Sequence, residues 1–170
     1  MSKLELIRAS YDYNQWANAR ILQAAGRLSD DELSKPRGAS WGSIEANLAH
    51  VAAAQIVWLQ RWTHSRWNVR PVVEVQKLSG FDAVREAFSE SHSGLKEFAA
   101  ALTEEQLDEV LAYRDSRGNP YERPLWQLML HVVNHGTQHR SETAMALSAL
   151  GQSPGDIDYV YFELERAGER

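Results

Sequence analysis

The chain predicts an all-α fold: an antiparallel four-helix bundle with a small hairpin or loop insert before its last long helix. Three observations carry that expectation. Apolar residues recur at three- and four-residue steps through four stretches of about 20 to 27 residues, the signature of amphipathic helices. Polar, Gly- and Pro-containing connections separate them. Only between Glu109 and Arg123 does the pattern change to two short segments around turn residues.

The first stretch runs from Ser2 to Leu28, with Leu4, Ile7, Tyr11, Ile21, Leu22, Ala25 and Leu28 on one stripe. Asn14 and Asn18 fall on that stripe too. Buried amides need partners, so they are expected to bond neighbouring helices and fix register. A polar segment, Ser29 to Gly42, closes the helix, and Ser43 is a suitable N-cap for the second, Ile44 to Thr63. Ile44, Leu48, Val51, Trp58, Leu59 and Trp62 mark its buried stripe, and the alanines around His50 predict that this histidine is buried.

The connection from His64 to Ser79 is undecided between extended and packed-down backbone. The third helix spans Phe81 to Leu102, with Phe81, Val84, Phe88, Leu95, Phe98 and Leu102 inward. His92 and His64 lack companions at metal spacing and read as packing or surface residues. Pro124 suits the start of the fourth helix, where a missing N–H costs nothing, and Gly151 its end at Leu150. Gly136 near the centre of that helix allows another backbone to come close. The run Ile157 to Phe162 reads as an extended tail packed on the bundle. Trp16, Trp58, Trp62 and Trp126 read first as core.

A chain of 170 residues with 44% hydrophobic and 24% charged residues is expected to form one domain over 1–170. Its net charge of −5 gives no reason to expect nucleic acid. With no cysteine, disulfides, thiolate ligands and a cysteine nucleophile are excluded, and any metal must be held by nitrogen and oxygen. The first residues lack the layout of a secretory signal, and no apolar run reaches the roughly 18 residues of a membrane span. A cytoplasmic protein without membrane partners is the expectation.

His131, His135 and His139 step by four residues through the last helix. Because a helix turns by roughly 100° per residue, they stack on one face. Two stacked imidazoles with a third from a facing helix can grip a transition metal and leave positions open. His135 and His139 with His50 are the candidate set; packed, unmetallated histidines are the rival. His131 reads as a further ligand or as a residue supporting one. His135-Gly136-Thr137-Gln138-His139 is not the zinc-peptidase motif, which needs Glu where Gly136 stands. Glu142 shares the side of His135 and can orient a ligand, complete the coordination, take a proton, or simply be solvated. Gln138 reads as exposed. Ser43, Ser141 and Ser148 sit on no strand-to-helix elbow, and no phosphate-binding glycine loop occurs.

Tyr13-Asn14-Gln15-Trp16-Ala17-Asn18-Ala19-Arg20, Ser43-Ile44, Leu48-Ala49-His50 and above all His131-Val132-Val133-Asn134-His135-Gly136-Thr137-Gln138-His139-Arg140 resemble the DinB-like superfamily of damage-inducible and YfiT-type proteins. The resemblance extends through the insert at 113–121 and the tail from Gly151 to Tyr159. It implies an up-down-down-up bundle, often a homodimer, with a divalent metal, commonly nickel or zinc, on His50, His135 and His139. Characterised relatives include transferases that use low-molecular-weight thiols. The function so implied is a metal-dependent enzyme that activates a thiol or water against a small electrophilic substrate. A hydrolase and a non-catalytic metal-binding stress-response protein are the alternatives. After Arg140 the chain departs from the usual Gly-Gln and has Ser141-Glu142, which adds a negative charge near the site.

Overall fold

A computed structural model of the chain describes residues 2–63, 77–115 and 117–170. In chain order its elements are α1 (Lys3–Ala25), α2 (Asp30–Ser34), α3 (Ile44–Thr63), α4 (Phe81–Ala101), α5 (Glu104–Asp108), β1 (Val110–Arg114), β2 (Pro120–Pro124), α6 (Leu125–Ala149) and α7 (Tyr159–Ala167). His64 and most of the connection it opens lie outside the described residues.

The four long helices sit where the apolar periodicity puts them, and local side chains fix their ends. Ser2 accepts from the Glu5 backbone N–H at 3.1 Å while the Ser2 N–H donates to the Glu5 carboxylate, a complete capping box. Ser43 Oγ accepts from the Ala46 N–H at the head of α3. Gly151, at φ 74°, ends α6: Gln152 N–H donates to Leu147 O and Gly151 N–H to Ser148 O, the paired bonds of a Schellman motif. Two short helices interrupt segments that carry little periodicity. Each has its own capping box, Ser29 with Glu32 for α2 and Thr103 with Gln106 for α5.

Contacts between the long helices set their directions. Tyr11 bonds the Met129 carbonyl while Asn14 and Asn18 bond Arg140, so α1 and α6 run parallel. Asn47 meets Thr143 and His50 meets His135, so α3 opposes α6. Arg8 reaches Ala99 O and Asn18 reaches His92, so α4 opposes α1. The order is therefore up, down, down, up.

Two apolar clusters occupy the ends of the bundle. One centres on Ile21, Leu48, Phe88 and Leu147, the other on Ile7, Tyr11, Leu95 and Met129. Between them lies a buried polar layer of Asn14, Asn18, Asn47, Gln55, His139, Arg140 and Thr143.

The insert is an antiparallel β1–β2 ribbon, with Leu111 opposite Arg123 and Tyr113 opposite Tyr121. The tail corrects the sequence expectation: from Tyr159 it is helical, not extended. Tyr159 and Phe162, one turn apart, both pack edge-on against Tyr13, and Glu165 accepts from Trp16 Nε1 at 2.8 Å and pairs with Arg20. Those contacts from α1 override the strand preference of the aromatic and β-branched run. Among the described residues no helix is long and apolar enough to cross a membrane.

Candidate metal centre

The antiparallel pairing of α3 and α6 brings His50 against His135 and His139. One ligand atom from each of the three lies within 4.8 Å of the others. The Nε2 atoms of His50 and His135 face each other at 3.0 Å, and the ring centroids of His50 and His139 are 4.8 Å apart. Two nitrogens each about 2.0–2.1 Å from a common ion can adopt such a separation.

Each ring is oriented from outside the cluster. His139 is buried, and its Nδ1 lies 3.1 Å from Asn47 Oδ1. An amide oxygen only accepts, so Nδ1 carries the hydrogen and Nε2 keeps its lone pair. Asn47 is held in turn, donating through Nδ2 to His139 O and to Thr143 Oγ1, both at 2.9 Å. His50 is half-buried, not buried as the alanines around it predict, because its outer face is covered only by the ring of Trp41, itself exposed, which stacks on it at 4.1 Å. His135 is pushed down to about 3, by burial first and then by the neighbouring His139, His50 and His131. It is therefore neutral at physiological pH, the form in which an imidazole binds metal.

Glu142 approaches His139 Nδ1 to 3.6 Å, but its closest partner is Ser40, whose backbone N–H (3.1 Å) and hydroxyl both donate to Oε2. Those bonds hold its carboxyl below the usual range, so it stays ionised. It thus ties the loop carrying Ser40 and Trp41 to α6. His131 is exposed and stands outside the three-histidine cluster, with its ring centroid 5.9 Å from that of His135 and 5.3 Å from that of Trp58.

Gly136 makes room for side chains rather than for a backbone. A Cβ there would lie 2.7 Å from Arg140 Nη1 and 3.0 Å from Asn14 Oδ1. Arg140, almost fully buried, donates to Asn14, Asn18 and Thr137. The two asparagines thus bond a neighbouring helix as their place on the α1 stripe suggests. His92 packs in the same layer, with Nε2 3.0 Å from Asn18 Nδ2.

Sequence reasoning missed Asn47, Ser40, Trp41 and the buried role of Arg140. Asn47 is four residues from Val51 and three from His50, a helical spacing that could have drawn notice to it. Nothing local marks Ser40 or Trp41.

The model of the DinB family matches residues 1–169. The chain belongs to the DinB family. Protein DinB of Bacillus subtilis (strain 168) is 24% identical over 157 residues, covering 88% of each chain. The family assignment and a histidine triad able to hold a cation fit a DinB-like metal-binding protein.

Proposed function

We propose that the protein binds one divalent cation, nickel or zinc, through His50, His135 and His139 and uses it as an enzyme acting on a small electrophilic molecule. The observation that carries this reading is the convergence of three imidazole nitrogens from two helices, with Asn47 leaving a lone pair on His139 Nε2. The donor set suits a borderline cation: all nitrogen, neutral, with no cysteine in the chain to compete. When bound, such an ion lowers the pKa of a thiol or water on its open side and supplies a nucleophile at neutral pH.

The chain's own residues have separate tasks in this reading. Asn47 fixes the His139 tautomer. Glu142 anchors the loop through Ser40 and adds negative charge beside the cation, which favours its retention. Trp41 covers the outer face of His50 and screens it from bulk water. His131 borders the approach to the triad along α6. A homodimer is part of the same proposal, checked by sedimentation of the metal-loaded chain.

Elemental analysis of protein purified without an affinity tag tests the metal. About one nickel or zinc per chain is expected, and none in His135→Ala; full retention in that variant would refute the ligand assignment. The reaction is tested by offering metal-loaded protein a panel of low-molecular-weight thiols with a haloaromatic electrophile. Thiol-dependent turnover that His135→Ala abolishes is the expected result. Absence of turnover across the panel would leave hydrolysis or a binding role in its place.

A further inference from the structure

The aromatic contacts between α3 and α6 do not end at the triad. From His135 a file of rings continues one turn along α6 to His131, then to Trp58 on α3 and Tyr113 on the ribbon, at centroid steps of 5.9, 5.3 and 5.2 Å. Beneath the ribbon Trp58, Tyr113, Arg123, Gln127, Leu128 and His131 line a cavity of about 230 Å³.

Its walls are largely aromatic, and each polar side chain on them carries a donor. Leu128 is buried and Trp58 and Tyr113 meet edge to face at 62°, which gives the cavity an aromatic and aliphatic wall for a ring to pack on. Trp58 Nε1–H, the Tyr113 hydroxyl and the Gln127 amide bond to no other described side chain or backbone group. Arg123 spends one N–H on the Glu122 carbonyl and keeps the rest of its fork. Register explains why Arg123 is there. Leu111 pairs with Arg123 and Tyr113 with Tyr121, so these four share the ribbon face on which Leu111 packs against the core, while Glu122 takes the other face. A second cation, Arg61, lies 4.5 Å over the Trp58 ring and is anchored to Arg114 O. Among the described residues no aspartate or glutamate lines the cavity.

We propose that this cavity is a binding subsite for a small aromatic carboxylate, its ring against Trp58, Tyr113 and His131 and its carboxylate on Arg123, one turn of α6 from His135 of the triad. Rings recognise rings by edge and face packing, and a guanidinium fork recognises a carboxylate in two parallel hydrogen bonds. As a substrate subsite it rests on the metal-centre reading; as a binding site it stands on its own residues, and the test separates the two.

The test is calorimetric titration of the full chain with 2-naphthoate and with naphthalene-2-carboxamide, which has the same rings and no charge. Naphthoate should bind at least tenfold more tightly than the amide. Arg123→Gln, an exposed ribbon position whose replacement leaves the core intact, should bring naphthoate down to the level of the amide. Trp58→Leu should weaken both probes, with circular dichroism verifying that the variant is folded. His135→Ala should leave naphthoate binding within twofold, so a failed metal centre and a failed subsite give different results. Equal affinity for the two probes, no binding of either, or naphthoate binding unaffected by Arg123→Gln would overturn the proposal.

Discussion

His139 and Arg140 are neighbours on α6, both buried, yet they face opposite halves of the bundle and meet opposite kinds of chemistry. On the α3 side three imidazoles converge, and Asn47 takes up the one N–H of His139 that could have satisfied another ring. On the α1 side the guanidinium of Arg140 supplies the cation, and the oxygens of Asn14, Asn18 and Thr137 surround it. Arg140 Nε and Gln55 Nε2 find no partner among the described residues, so what is left over on this side is donors. A surplus of acceptors attracts a metal ion and a surplus of donors repels one. Two polar clusters in the same layer thus differ in kind, one holding helices together and the other able to hold a cation.

The contrast is broken most forcefully from the structural side. Arg140→Met removes the cation and strands two buried amide oxygens, and should cost about 3 kcal/mol in urea denaturation. Metal stoichiometry at saturating cation should survive wherever the variant is folded. Asn47→Ala is the converse, aimed at the other cluster. It should weaken metal binding about 10- to 100-fold, as loss of a partner that orients a ligand does, measured by competition with a chromophoric chelator.

Gly136→Ala probes the boundary between the clusters. Alanine favours the helix by about 1 kcal/mol, but its Cβ meets a guanidinium pinned by three hydrogen bonds, and overpacking costs about 1–3 kcal/mol. The clash should win by about 1 kcal/mol, and pairing it with Arg140→Met should reverse the sign.

A pH-dependent effect of similar size comes from His92, which is lowered to about 4, by burial first and then by the positive charge of Arg140. The unfolded chain takes up this proton near 6.5, so between pH 6.5 and 4 it binds more protons than the folded one. Stability should therefore be whole above pH 6.5 and fall as the pH drops through that window, by on the order of 1–2 kcal/mol once partial exposure is allowed for. His92→Gln should flatten that portion of a urea-midpoint profile, and an unchanged slope would assign the acid sensitivity elsewhere.

Much of this was legible in residue order because the signals concerned are local. Apolar spacing locates the long helices, and Ser2, Ser43 and Gly151 mark ends with groups only two to four residues away. The four-residue step stacks His135 and His139 whatever surrounds them. The tail shows the limit: Tyr159 to Phe162 reads as strand until Tyr13 and Trp16 offer a surface that only a helical turn can match.

By itself, then, the sequence determined which segments are helices, which faces are apolar and which histidines share a turn, since backbone hydrogen bonding repeats over three to four residues. Tertiary structure alone decided that Asn47 meets His139 across 92 positions, that Ser40 seats on Glu142 across 102 and that Arg140 fills the gap beside Gly136. Those pairings depend on how each helix is rotated and how far it slides against its neighbours. Packing of the whole core settles that rotation, and no local period encodes it.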